Sequence, residues 1–177
     1  MYLLDTGAFI TPSNMWYGLD FCSGFWDWLV VENTRGLVIS IQQVREEINK
    51  EDTDQQQALL QWVKGSGRVL FEQARYQSSD LGRVGTWVRQ AQPYNEGAKN
   101  GWLADNADPS LVAEALARAE SQIVIVSTEV TGNPKSAAAG SQKQVKIPDV
   151  CDGLDIPCIQ PWEMLRREQP SFILKRG

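Results

Sequence analysis

Ile123-Val124-Ile125-Val126-Ser127 is the stretch that decides the fold, because it is short, β-branched and almost wholly apolar. A strand of this composition is buried on both faces, which is typical of a parallel sheet covered by helices. Working outward from it, the other predicted strands are 2–4, 37–41, 68–71 and 156–159. Stretches of helical periodicity lie between them, so the sequence predicts a three-layer α/β/α domain with a central parallel sheet.

The segments between the strands place apolar residues at helical spacing. The predicted helices are 21–33, 42–50, 54–63, 78–92, 108–119 and 161–167, with Asp54 and Asp108 at helix starts. Glycine, proline and small polar residues predict loops over 8–20, 93–101 and 131–144. The 177 residues contain no linker and no internal repeat, so we expect one domain over 1–177.

The composition excludes several classes of function. The net charge of −5 argues against a generally basic nucleic-acid binder, although local basic groups such as Lys135, Lys143 and Lys146 remain. Such groups are more often a solvated face than a binding site. Histidine is absent, which excludes Ser-His-Asp and Cys-His nucleophiles as well as Cys/His zinc sites. Acid–base chemistry would fall to carboxylates, lysine, tyrosine or metal-activated water.

The cysteines indicate a reducing environment. Cys22, Cys151 and Cys158 are an odd number of thiols, and the N-terminus has neither a basic region nor a long apolar run. No stretch reaches the ~20 apolar residues that a membrane span needs. We therefore expect a cytoplasmic protein with free thiols and no membrane association.

Four acidic residues follow different strands of the predicted sheet: Asp5, Glu47, Asp108 and Glu129. The carboxyl ends of parallel strands lie at one edge of the sheet, where ligands of α/β proteins bind. Carboxylates gathered there repel one another unless a cation neutralises them, and hard divalent ions prefer oxygen ligands. The pattern predicts a metal site suited to cleaving a phosphodiester.

Each acid also has a simpler interpretation. Asp5 could form a turn, Glu129 could be a loop acid, and Asp108 before Pro109 is a common helix opening. Glu47 flanks the apolar face of its helix, whereas its neighbour Glu46 points to solvent. Asp105 is a reserve ligand near Asp108. Each of the four acids alone is weak evidence for a site. Together they are stronger evidence, because all four are expected at the same edge of the sheet.

A family resemblance agrees with the acids. PIN-domain nucleases open on a motif similar to residues 3–10, LLDTGAFI, and their other acidic motifs resemble 44–48, VREEI; 107–113, ADPSLVA; and 126–129, VSTE. Order and spacing agree along essentially the whole chain. Residues 20–29, DFCSGFWDWL, and 146–151, KIPDVC, resemble a bacterial and archaeal PIN-like branch.

The resemblance implies a metal-dependent endoribonuclease. Asp5, Glu47, Asp108 and Glu129 would be both the catalytic residues and the ligands of Mg²⁺ or Mn²⁺. The substrate would be RNA, and the chain would be the toxin of a toxin–antitoxin pair, with an antitoxin partner and a possible homodimer. In two respects the chain departs from the family: Gly7 stands where Asn or Ser is usual, and Glu129 where Asp is usual. The alternative is a catalytically weakened PIN-like binding or regulatory protein.

Other side chains are secondary candidates. Thr6, Ser127 and Thr128 could hold a metal-bound water or a phosphate oxygen. Trp16 and Tyr17 lie in the predicted loop and could stack on unpaired bases. Phe21, Phe25, Trp28 and Leu29 are predicted core residues on one helix face, and Trp26 is predicted to be off that face and freer. A haloacid dehalogenase-type phosphatase is disfavoured because it needs Asp at position 7.

Overall fold

A computed structural model confirms the three-layer α/β/α fold with an all-parallel central sheet. The structure describes residues 1–50, 56–104, 107–132, 135 and 137–172. The strands are β1 (Tyr2–Leu4), β2 (Val38–Ile41), β3 (Phe71–Glu72), β4 (Val124–Val126) and β5 (Cys158–Ile159). Their order in the sheet is β3-β2-β1-β4-β5, which places β1 at the centre. Tyr2 is in register with Val38 on one side and with Val124 on the other.

Helices cover the sheet. In the described part of the chain the α-helices are α1 (Gly7–Thr11), α2 (Ser23–Thr34), α3 (Gln42–Lys50), α4 (Gln57–Lys64), α5 (Ser78–Gln90), α6 (Glu96–Leu103), α7 (Ala107–Ala117), α8 (Ile147–Gly153) and α9 (Pro161–Glu168). A π-helical turn follows α1 at Pro12–Trp16, and 3₁₀ turns lie at Ser66–Leu70 and Ala119–Ser121.

Two of the predicted loops are wrong, because helices occupy much of 8–20 and 93–101. Pro12 lies at the first position of the π-helical turn, which directly continues α1. Asn95 caps α6 by accepting a hydrogen bond from the Ala98 amide at 2.8 Å. Glycines within that helix hid its periodicity. In both places local hydrogen bonding outweighed the weak helix propensity of the sequence.

Smaller corrections concern element boundaries. The predicted strand 68–71 is mostly a 3₁₀ turn, and β3 begins only at Phe71. Asp108 is the second residue of α7 rather than its cap, and the sequence did not predict α8. The predicted cap Asp54 lies outside the described residues.

Trp26 is buried, so the prediction that it is freer than its neighbours was wrong. Its side chain is 1% exposed and packs edge-on against Trp62, with ring centroids 4.8 Å apart. The indole N–H of Trp26 donates to the carbonyl of Tyr17 at 2.6 Å. Phe25 and Leu29 are core residues as predicted, whereas Phe21 is 48% exposed. Helix α2 is therefore packed on more than one side, which a single apolar stripe does not describe.

A buried ion pair on α7 supports the β3 side of the fold. Glu114 is fully buried and accepts a hydrogen bond from Arg118 Nε at 2.6 Å. Its other carboxylate oxygen accepts from the amides of Arg75 and Tyr76, at 2.6 and 3.0 Å. Arg118 also pairs with Glu72 at 2.8 Å. The buried charges are thus paired on every side, which a buried ion pair needs in order to be tolerated.

Among the described residues, no helix combines the length and apolar character that crossing a membrane requires.

Candidate functional site

Asp5 lies at the centre of the carboxyl edge of the sheet. It directly follows β1, its amide continues the ladder by donating to the carbonyl of Val126 at 3.0 Å, and its side chain is only 4% exposed. Oδ1 accepts a hydrogen bond from the Ala8 amide at 2.6 Å, so the start of α1 fixes the carboxyl group. Position, burial and hydrogen bonding make Asp5 a fixed acid at the place where ligands of such sheets bind.

Burial raises the pKa of Asp5 to about 7, because desolvation disfavours the charged carboxylate. The negative charges of Asp108 and Glu129 add to this rise, whereas hydrogen bonds from the Ser127 side chain and the Ala8 amide oppose it. Asp5 is therefore an acid whose charge is costly in the protein without a cation. Perturbed acids of this kind occur often at functional sites.

Asp108, in the first turn of α7, has a raised pKa for the same reason as Asp5. Burial is the largest cause that raises its pKa to about 7, and the charges of Glu129 and Glu47 contribute. Lys146 and a hydrogen bond from the Trp102 side chain act in the opposite direction. The charges that raise the pKa of Asp5 and Asp108 come from Asp108, Glu129 and Glu47, so each of the four predicted acids lies within electrostatic range of Asp5 or Asp108.

Glu47 is half-buried on α3, and its neighbour Glu46 is exposed, as the helical geometry predicted. The Thr6 hydroxyl donates a short hydrogen bond to Glu47 Oε2. Thr6 follows Asp5 directly, so this bond joins the Glu47 carboxylate to the end of β1. A hydroxyl next to one acid thereby orients another.

Glu129 is held by the segment that begins α8. Lys146 Nζ lies 2.9 Å from Glu129 Oε1, and the Ile147 amide donates to Oε2 at 2.7 Å. The Ser127 hydroxyl accepts from the Glu129 amide at 3.1 Å, and Gln160 donates to the Glu129 carbonyl at 2.5 Å. Both carboxylate oxygens of Glu129 therefore already have protein partners.

Gly7 leaves room for Thr128. A Cβ at position 7 would collide with the Thr128 hydroxyl oxygen, and it would stand 3.5 Å from both carboxylate oxygens of Asp5. A side chain at position 7 and the present position of the Thr128 hydroxyl exclude each other. The absence of a side chain at Gly7 is thus matched by a polar group from the end of β4.

The acids have the donor chemistry of a hard-ion site, but they do not surround one point. Within the residues that the structure describes, no three acidic or cysteine side chains are arranged closely enough to hold a metal ion. Glu129 turns to Lys146 and Glu47 to Thr6. All four provide oxygen ligands, which Mg²⁺ and Mn²⁺ prefer, so the residues fit such an ion in kind once Glu47 and Glu129 turn toward the two aspartates.

Three further residues support the site and were not predicted. Lys146 pairs with Glu129, and Trp102 bonds Asp108. Asp149 is 2% exposed and binds the loop after Glu129 by accepting from the Gly132 amide at 3.1 Å and from the Thr131 hydroxyl at 2.5 Å. Two of them lie in 146–151, a stretch that the sequence marks by resemblance without assigning a role.

The secondary candidates have different surroundings. Trp16 is 36% exposed and contacts Trp162 edge-on, with ring centroids 5.9 Å apart. The Tyr17 ring stacks on Phe25 at 4.6 Å, so one of its faces is already covered. Asp105, the reserve ligand, lies outside the described residues.

The cysteines are free thiols, as expected. Cys151 is buried on α8, and a hydrogen bond with Cys158 together with burial raises the pKa of its thiol.

Comparison with known proteins gives the family. A search of curated proteins and a search of solved structures found no match. A family model described as a domain of unknown function matches residues 2–172, which is nearly the whole chain and contains all four acids. The chain therefore belongs to the DUF4411 family.

Proposed function

We propose that the protein is a PIN-like, metal-dependent endoribonuclease. The observation that carries this proposal is a set of four acids at the carboxyl edge of the sheet. Burial and the charges of neighbouring acids raise the pKa of two of them, Asp5 and Asp108, to about 7. Such a cluster is costly for a protein to keep unless a cation binds there. The motifs of the chain and the absence of histidine agree with a reaction that depends on carboxylates and a metal ion.

Asp5, Glu47, Asp108 and Glu129 would hold Mg²⁺ or Mn²⁺. When bound, such an ion activates a water molecule and stabilises the leaving oxygen of a phosphodiester. The Ala8 amide orients Asp5, and the Thr6 hydroxyl orients Glu47. Ser127 supports both Asp5 and the backbone of Glu129. The contacts of Ala8 and Ser127 thus hold Asp5 in place for the ion. The side chains of Glu47 and Glu129 would have to turn away from Thr6 and Lys146 to reach it.

The proposal includes RNA as substrate and the toxin role of a toxin–antitoxin pair. Resemblance to the PIN family supports these parts, together with an antitoxin partner and a homodimer. Partners are tested by co-expression with the product of a neighbouring gene, followed by measurement of the mass of the complex.

The direct test has two measurements. Titration with Mn²⁺, followed by calorimetry, should show binding that Asp5→Asn and Asp108→Asn abolish. Incubation with RNA should give cleavage with Mn²⁺ or Mg²⁺ and none with EDTA. Glu47→Gln should lose activity, whereas Glu46→Gln is the matched control because Glu46 is exposed one residue away. Full activity in each of the three acid variants would contradict the proposal.

A second candidate is a PIN-like binding or regulatory protein without catalysis. Two observations favour it: Lys146 already neutralises Glu129, and no three described acids enclose a point. On this alternative, wild-type protein binds RNA equally well in EDTA and in Mn²⁺ and never shortens it. The same pair of measurements therefore separates the two functions.

A further inference from the structure

A groove runs from the acid site between α6 and residues 143–146. It is a cavity of about 330 Å³, which is within the size range of small-ligand sites. Glu129 and Trp102 are among the residues that line it. The groove therefore adjoins one of the four acids, Glu129, and its lining residue Trp102 is a neighbour of a second, Asp108.

The charge of this groove is opposite to that of the acid site. Lys143 and Lys146 line it, and Lys143 is exposed. Among the described residues Lys143 makes no ion pair, whereas the more distant Lys135 pairs with Asp152 at 2.7 Å. Two lysines of the basic group therefore line the groove, and of these Lys146 is paired with Glu129 whereas Lys143 has no ion pair with any described residue.

Two of the four residues that line the groove from α6 have no side chain. Gly97 and Gly101 line it from α6. A Cβ on Gly101 would meet nothing within 4 Å, so packing does not require glycine there. Glycine within a helix is destabilising by roughly 1 kcal/mol relative to alanine. The absence of a side chain keeps the wall low and exposes the backbone to whatever occupies the groove.

We infer that this groove binds the phosphodiester backbone of a single nucleic-acid strand next to the bond presented to the acids. With two glycines in the same groove, the ammonium of Lys143, which is unpaired in the described part of the chain, suits a phosphate of such a strand, since phosphate contacts supply most sequence-independent affinity. This inference rests on the proposed function for the identity of the acid site and adds where the strand lies. The phosphates are common to RNA and DNA, so the experiment uses both.

The experiment measures binding without catalysis. Fluorescence anisotropy in EDTA follows labelled oligouridine, oligothymidine and a duplex as salt is varied. Lys143→Ala should weaken single-strand binding severalfold and reduce the slope of log K against log salt by about 0.7, the value for one single-strand phosphate contact. Lys64→Ala, which removes an equal charge from the exposed end of α4, is the control and should leave both unchanged.

A steric pair of variants provides an independent test. Gly101→Glu puts a carboxylate into the groove and should abolish binding, whereas Gly101→Lys should strengthen it. Gly82→Glu is the matched control, because Gly82 is also an exposed helical glycine with no atom within 4 Å of its Cβ position. Neither site is crowded, so circular dichroism should show folded variants.

The outcomes distinguish the groove from the proposed function. Equal loss of binding in Gly101→Glu and Gly82→Glu, or no binding of any oligonucleotide by wild-type protein, would overturn the groove. Stronger binding of duplex than of single strands would overturn the single-strand assignment. If Gly101→Glu still cleaves RNA with an unchanged KM, the inference about the groove is wrong and the proposed nuclease function stands. If oligonucleotide binding depends on the groove but the protein does not cleave RNA in Mn²⁺, the inference about the groove stands and the proposed nuclease function is wrong.

Discussion

The hydroxyl oxygen of Thr128 occupies the space that a side chain on Gly7 would need. Gly7→Ser should therefore displace Thr128, whose β-branched side chain has few alternative rotamers. We expect a loss of about 1 kcal/mol or more in the free energy of unfolding, as in other overpacked sites. Thr128→Ala in the same chain should recover most of it, measured as a double-mutant cycle in urea. Gly82→Ser, in open space, should cost nothing, and additive effects of the two site changes would contradict the exclusion.

The raised pKa of Asp5 should make the free energy of unfolding depend on pH. The pKa of Asp5 is about 7 in the folded protein and lies above its ordinary value of 3.8, so the folded state holds a proton that the unfolded chain releases first. This stabilisation is complete below pH 3.8 and is lost as pH rises to about 7. Each pKa unit corresponds to about 1.4 kcal/mol, so the loss is at most about 4 kcal/mol.

Asp5→Asn should remove the part of this pH dependence that Asp5 contributes, whereas the part from Asp108, whose pKa is also raised to about 7, should remain. Without divalent ions the variant should be more stable than wild type at pH 8, and the difference should shrink toward pH 4. Urea unfolding at a series of pH values measures it. Mn²⁺ should stabilise the wild type at pH 8 and leave the variant unchanged. A difference that does not vary with pH would mean that Asp5 titrates normally.

Lys146 competes with a cation for Glu129. Its ammonium lies 2.9 Å from the carboxylate, and both side chains are about one-third exposed, at 30% and 27%. Lys146→Met should bind Mn²⁺ more tightly than wild type, because a positive charge is removed and Glu129 is released. Calorimetry gives the affinity, with Lys143→Met as the control that changes charge without contacting Glu129. Weaker Mn²⁺ binding in Lys146→Met would show that Lys146 helps to assemble the site.

Glu114 offers a test of the fold away from the acid site. It is fully buried with Arg118, which is only 8% exposed, so Glu114→Ala leaves a buried guanidinium without its main partner. A loss of about 3–5 kcal/mol is expected for breaking such a pair from one side. Glu120→Ala, at an exposed acid nearby, should change the midpoint of urea unfolding very little.

The parts of the molecule that could be predicted are those that local composition determines. The run 123–127 required a buried strand, and Asp5 after an apolar strand had to lie at the edge of the sheet. Helix α6 was missed because Gly97 and Gly101 have low propensity and its Asn95 cap was read as part of a loop. Trp26 was misplaced because Trp62, its packing partner, lies on another helix. Periodicity carries no information about such distant pairs.

The candidate site, like the fold, could be predicted only in part. The positions of the four acids follow from topology, and each acid lies within electrostatic range of Asp5 or Asp108. The directions in which the acidic side chains point do not follow from topology. The rotamer of Glu47 depends on Thr6, and that of Glu129 depends on Lys146 and the Ile147 amide. A contact between residues 129 and 146 is made by a loop and a helix end, for which sequence spacing gives no rule.

The central strand has partners from distant parts of the chain: Tyr2 pairs with Val38 and with Val124. During synthesis β1 leaves the ribosome first, and one of its edges stays open until β4 follows. The carboxylates of Asp108 and Glu129 cannot join Asp5 before then. A chain translated only as far as β3 therefore carries no assembled acid site, and whatever chemistry that site performs begins only after Glu129 has been made.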